Sequence, residues 1–194
     1  MQITFATGNP NKIIEVKEVL PSNIQITGLR DIGCTEEIPE TSPTIEGNAI
    51  QKAQYVYDHY GVNCFSEDTG LEVEALGGEP GVNTARYAGE DKDPRANIQL
   101  TLKKLSGIKN RKARFKTVIA LILDGKIHTF EGIVEGTITE KPLGDGGFGY
   151  DPIFRPNGYD RTFAELGMDV KKEISHRSRA VQKLVRFLEK NVGA

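Results

Sequence analysis

Short apolar runs and amphipathic stretches take turns along the first third of the chain. Ile3 to Ala6 is a brief apolar run that predicts a buried strand. Thr7-Gly8-Asn9-Pro10-Asn11 reads as a turn, and Lys12 to Leu20 as a helix closed by Pro21. Ile24 to Leu29 alternates as a second strand. Strand, turn, helix, strand is the pattern of a parallel α/β unit. Arg30 to Glu46 is polar, acidic and carries two prolines, which predicts a loop long enough to be suspected of function. Asn48 to Tyr60 has helical spacing, with Ala49, Ala53, Val56 and Tyr57 on one side.

Val62 to Ser66 and Leu71 to Val73 predict short strands flanking Glu67-Asp68-Thr69-Gly70. Asp93-Pro94 opens a helix to about Leu105. Phe115 to Leu123 and Lys126 to Ile138 surround Asp124-Gly125, a strong hairpin signal. Ser175 to Lys190 predicts a helix with Ala180, Leu184, Phe187 and Leu188 inward and Ser175 as N-cap. The fold class expected is α/β: one elongated mixed-sheet domain over residues 1–194, with two lobes flanking a cleft.

Composition narrows the function. A formal net charge of −2 argues against binding nucleic acid through overall charge. It leaves room for one small polyanion met by a local cluster of lysines and arginines. Cys34 and Cys64 match no metal spacing, so free thiols in a reducing compartment are expected. No signal peptide and no run of membrane-spanning length is read. The expectation is a cytoplasmic protein with no membrane and no nucleic-acid partner.

Four segments carry candidate chemistry. Gly146-Gly147-Phe148-Gly149-Tyr150-Asp151 combines flexible backbone with two aromatics and a carboxylate. A planar heterocycle held against Phe148 or Tyr150 would use all of it, although a Gly-rich hairpin with core aromatics would look the same. Thr7 to Lys12 opens a helix, where free amides and the dipole favour an anion. It is not a Walker loop, and an Asn-capped turn is the alternative. The adjacent carboxylates Glu67 and Asp68 cannot both point one way in an extended strand. One could bind magnesium, with Glu40 as a second ligand, and a solvated acidic turn is the plainer choice. Lys171, His176, Arg177 and their neighbours surround the start of the last helix. Cations there oppose the dipole, a cost that an anionic or electron-rich ligand would offset; a solvated basic face is the plainer alternative.

The chain also resembles the inosine/xanthosine triphosphate pyrophosphatase family. The resemblance rests on Ala6-Thr7-Gly8-Asn9 with Lys12, Asn48-Ala49 with Lys52-Ala53, Glu67 to Leu71, Ala85 to Gly89, Gly146 to Phe154, and Ser175-His176-Arg177 with Ala180. It implies hydrolysis of ITP, dITP or XTP to the monophosphate and pyrophosphate, with Mg2+ as cofactor and a homodimer as the working form. It implies Asp68 as general base and Glu40, Asp68 and Glu67 as metal ligands. It assigns the triphosphate to Thr7, Gly8, Asn9, Pro10, Asn11, Lys12, Lys52 and Thr69. The base falls to Phe148, Gly149, Tyr150 and Asp151, with Lys171, His176 and Arg177 reading the purine 6-oxo edge.

Donors there would favour an acceptor oxygen over the amino group of adenine. Glu67-Asp68-Thr69-Gly70 stands where the family commonly has Asp-Asp-Ser-Gly, and Gly47 intervenes between Glu46 and Asn48. Two readings compete: a nucleotide-binding module without turnover, and a sister enzyme acting on a modified pyrimidine triphosphate. Retention of Asp68, Glu40 and Lys12 argues against the first, and Ser175-His176-Arg177 with Phe148 to Asp151 against the second.

Overall fold

A computed structural model describes residues 1–191. Six strands form one sheet, in the order β2-β1-β3-β4-β5-β6. β1 (Gln2–Phe5) pairs in parallel with β2 (Gln25–Thr27), Ile3 opposite Ile26, and in parallel with β3 (Cys64–Val73), Phe5 opposite Phe65. The Phe5 and Phe65 rings stack with centroids 4.4 Å apart. Burying each ring stabilises the fold by about 1.5–3 kcal/mol.

β4 (Lys112–Leu123) alternates at its start and is buried on both faces from Thr117 to Ile122, as an internal strand should be. It joins β5 (Lys126–Ile138) through Asp124-Gly125, both with positive φ. That is the conformation of a two-residue type I′ turn. β6 (Phe154–Pro156) runs antiparallel to β5, Thr137 opposite Arg155.

The helices are α1 (Pro10–Lys17), α2 (Ile45–Tyr60), α3 (Pro94–Lys104), α4 (Phe163–Leu166), α5 (Met168–Ile174) and α6 (His176–Asn191). Their starts follow the capping chemistry. Asn9, Thr44, Asp93 and Thr162 each accept a backbone N–H of the first turn, and the Ser175 hydroxyl accepts from Ser178 N at 3.1 Å. Thr162 and Glu165 complete a reciprocal capping box.

The chain folds into two compact units. The first comprises Met1–Asp68, Thr117–Glu131 and the chain from Arg179 onward. Its core joins Ile3, Phe5, Ile26 and Phe65 to Ile119 and Leu121, closed by Ala180, Leu184 and Leu188 of α6. The second comprises Thr69–Lys116 and Gly132–Ser178. Its core gathers Leu71, Val73, Phe115, Tyr150, Phe154 and Phe163. The mixed α/β class read from the sequence is the one observed.

Several elements differ from the sequence reading. α2 begins at Ile45 rather than Asn48 because Thr44 caps it, its hydroxyl 2.9 Å from Gly47 N. β3 is one ten-residue strand running through Glu67-Asp68-Thr69-Gly70, where two strands and a turn were expected. Through that stretch burial is interrupted only at half-buried Asp68 and exposed Thr69; Ser66 and Glu67 before them and Gly70 and Leu71 after them are buried. β2 stops at Thr27 because Gly28 N donates to Asp31 Oδ2 at 2.7 Å, starting a turn. β4 starts three residues early, and α4, α5 and β6 have no counterpart in the sequence reading.

Candidate active site

In the first unit, three elements bring charge together. The Thr7-to-Lys12 turn leaves β1 and enters α1. Asn9 N donates to Thr7 Oγ1 at 3.1 Å and Asn11 N to Asn9 Oδ1 at 3.0 Å, so the turn is held by its own side chains. Gly8, Asn9, Pro10 and Asn11 are exposed, and Lys12 is half-buried. Lys12 Nζ lies 3.0 Å from Glu67 Oε1 on β3. Lys52, one turn beyond Asn48 on α2, donates to the Glu67 carbonyl at 2.6 Å. It also lies 2.8 Å from Glu40 Oε1 and 3.9 Å from Asp68 Oδ1. Two ammonium groups thus tie together three carboxylates drawn from the acidic loop and β3. The Lys52 and Glu67 side chains are largely buried, and Asp68 keeps 20% of its side chain exposed.

The acidic loop is fixed against α2 by side chains of the helix. Ser42 N donates to Asn48 Oδ1 and Thr41 N to Gln51 Oε1, both at 2.8 Å. Gly47 gives Ser42 the room to do so: a Cβ there would run into the Ser42 hydroxyl and lie 2.8 Å from Ser42 Cβ. The glycine that departs from the family pattern therefore has a steric reason in this chain. Ser66 on β3 donates to the Ala49 carbonyl, joining α2 to the strand that carries Glu67 and Asp68. Thr69, the next residue along β3, is exposed.

The second unit holds the aromatic and basic residues. Gly147 and Gly149 have φ of 71° and 60°, which L side chains seldom adopt. A Cβ on Gly147 would also strike the Asp151 carboxylate. Asp151 is buried, its Oδ2 accepting from Phe148 N at 3.0 Å and from Lys171 Nζ at 2.7 Å. The same ammonium lies 3.9 Å from the Phe148 ring centroid. Phe148 is 71% exposed, so its ring presents one face to Lys171 and leaves surface open. Tyr150 is placed differently: it is 5% exposed, belongs to the core, and donates its hydroxyl to Thr84 O at 2.6 Å. Burial drives its phenol pKa well above the usual value. His176 is buried with its ring stacked on Phe115, centroids 4.8 Å apart. Arg177 is half-buried beside it in sequence.

These positions recast one expectation. Lys171 and Lys172 lie in the last turn of the separate helix α5, where cations meet the negative end of the dipole. The cost anticipated for them at the start of the final helix does not arise.

A family model described as the Ham1 family matches residues 3–187. The chain belongs to the Ham1 family. It is 55% identical over 188 residues to a protein of Flavobacterium johnsoniae named dITP/XTP pyrophosphatase, covering 97% of this chain and 98% of that one. The same name is borne by a Bacillus subtilis protein 48% identical over 189 residues, with 95% and 96% covered. The solved structure of the Staphylococcus aureus Ham1 protein superposes with a TM-score of 0.94 at 39% identity, covering 98% of this chain and 99% of that one.

In this Ham1-family chain the structure brings Lys12, Glu40, Lys52, Glu67 and Asp68 into one cluster. Asp151, Lys171 and Phe148 form another. Among the described residues, no three His, Cys, Asp or Glu side chains form a ready metal cage. Phe115 under His176 and Thr84 beneath Tyr150 escaped the sequence reading. Phe115 carried only the signal of an alternating strand, and Thr84 none.

Proposed function

We propose that this chain hydrolyses non-standard purine nucleoside triphosphates, ITP, dITP and XTP, to the monophosphate and pyrophosphate, removing deaminated purines from the nucleotide pool. The observation that carries this is the Lys12–Glu67 and Glu40–Lys52–Asp68 cluster, in a chain whose near-full-length relatives bear the name dITP/XTP pyrophosphatase. Lys12 and Lys52 meet the triphosphate charge, Lys12 from the first turn of α1 at the positive end of its dipole. Asp68, partly exposed beside Lys52, takes the proton from an attacking water. The new bond forms from that oxygen to the α-phosphorus, and the bond to the bridging oxygen of pyrophosphate breaks. The exposed Phe148 ring, held by the Asp151–Lys171 pair, stacks the purine, with His176 and Arg177 at its edge.

The donor chemistry suits magnesium. Glu40, Glu67 and Asp68 offer hard carboxylate oxygens, Glu67 facing Lys12 and the other two facing Lys52. Magnesium keeps several waters and takes phosphate oxygens, so one or two of these carboxylates would suffice to hold it. Held by these residues, magnesium would supply charge neutralisation of the phosphate oxygens. A homodimer acting in the cytoplasm belongs to the same reading. No described helix is long and apolar enough to cross a membrane.

The test is pyrophosphate release from ITP, dITP, XTP, GTP, ATP and dTTP, with and without magnesium. Fast magnesium-dependent release from the first three supports the reading. Release favouring dTTP moves the chain to a pyrimidine-directed activity, and release from none leaves a binding protein. Asp68→Asn is expected to lower kcat by at least ~100-fold while a titration of ITP binding changes little. Near-normal turnover in that variant would remove Asp68 from the chemistry.

A further inference from the structure

Within the second unit, a cavity of about 570 Å³ opens beside the start of β4. Four cations line it, Lys109, Arg111, Lys112 and Arg155, against one carboxylate, Glu74. That excess of positive charge stands out in a chain whose formal net charge is −2. None of these residues belongs to the clusters described above.

The local structure explains how the charge is held. Phe154 and Pro156 are buried while Arg155 between them is exposed, so strand alternation turns Arg155 away from the core. Its cross-strand partner on β5 is Thr137, which also lines the cavity and whose hydroxyl accepts from Arg155 Nη2 at 3.4 Å. Arg111 is fixed by three carbonyls: Nε donates to Ile138 O at 2.7 Å, Nη1 to Leu105 O at 3.1 Å and Nη2 to Thr139 O at 2.7 Å. Carbonyl dipoles orient a guanidinium without cancelling its charge. Three of its five N–H groups are used in this way, and one on each terminal nitrogen remains to donate. Glu74 accepts from Asn110 Nδ2 at 2.7 Å, which draws the lone carboxylate toward an amide. A concave site with one sign of charge focuses its field on small counter-ions.

The structure assigns this cavity as a binding site for a short phosphate chain, of the diphosphate or triphosphate type. Cations distributed around a cavity of this volume suit linked phosphoryl groups better than one isolated tetrahedral anion. The lining supplies donors but no paired acid and base, so the site binds without hydrolysing. A nucleic-acid duplex would need a basic stripe extending well beyond one cavity.

The test is an NMR titration of the full chain with inorganic pyrophosphate, in magnesium-free buffer, following the amide signals of Asn110 and Thr137. Orthophosphate and sulfate are the controls. Saturable shifts with pyrophosphate are expected, weakened at least tenfold in Lys112→Ala/Arg155→Ala. Both substitutions are at exposed positions, so the variant should keep its fold and its turnover of ITP. Absence of shifts at these amides, unchanged affinity in the double variant, or equal response to sulfate would each overturn the assignment. Signals of Lys12 and Thr69 report separately on the catalytic cluster, so failure of the proposed hydrolysis would leave this result standing.

Discussion

The Asp151 carboxylate is buried and committed to two partners in the second unit. It is 2% exposed, and its Oδ2 takes both the Phe148 amide and the Lys171 ammonium. Removing one partner of a buried ion pair strands the other charge, which costs about 3–5 kcal/mol. Lys171→Met should therefore lower unfolding stability by roughly that amount, measured by urea denaturation near neutral pH. Asp151→Asn/Lys171→Met strands no charge and should recover a large part of the loss. If the double variant were as unstable as Lys171→Met, the pair would not be the source of the cost. The same cycle bears on function: Phe148 depends on Asp151 for its backbone position, so the double variant should raise KM for ITP more than it lowers kcat.

At the scale of elements, the acidic loop is attached to α2 at both of its ends. Near Glu40, the backbone of Ser42 and Thr41 donates to Asn48 and Gln51. At the far end Glu36 Oε1 accepts from the Tyr60 hydroxyl at 2.5 Å, the Tyr55 hydroxyl at 3.2 Å and the Cys34 thiol at 3.4 Å. The Tyr60 bond is the largest reason the Glu36 carboxyl is held down at about 2, from 4.5. A depressed carboxyl contributes its full stability above the unfolded value, about 4.5, and loses it as pH falls toward about 2. Wild type should therefore lose more of its urea midpoint between pH 5 and pH 2 than Glu36→Gln does. Parallel pH profiles for the two would detach Glu36 from acid stability.

This loop also shows what a sequence can and cannot disclose. Its length and acidity were visible, as was Glu40, because composition and loop chemistry are local. The pairing of Glu40 with Lys52 and the continuity of β3 through Glu67 to Gly70 were not. Both depend on neighbours distant in sequence, which override local turn signals. The capped starts of α1, α2, α3 and α6 were legible to within a few residues. α4 and α5 are too short to show a period.

Across the whole molecule, each compact unit is assembled from separated stretches of chain, and the first makes the consequence plain. Its charged cluster is drawn from residues 12–68 alone, yet the core behind it includes β4 and is closed by α6. Leu184 and Leu188 are 0% exposed and belong to the same cluster as Phe5 and Phe65. Truncating Leu184 removes buried methyl groups and leaves a space that close-packed neighbours fill only in part. Leu184→Ala should cost about 2–5 kcal/mol in unfolding stability, whereas Leu184→Met, which conserves volume, should cost less than about 1.5 kcal/mol.

The functional readout separates packing from chemistry. Leu184 packs in the apolar core of the first unit. At a temperature where Leu184→Ala is still folded, its kcat for ITP should stay within a few-fold of wild type while its melting temperature falls. A loss of kcat comparable to that of Asp68→Asn, in a demonstrably folded Leu184→Ala protein, would mean that α6 sets the geometry of the catalytic cluster as well as the stability of the core behind it.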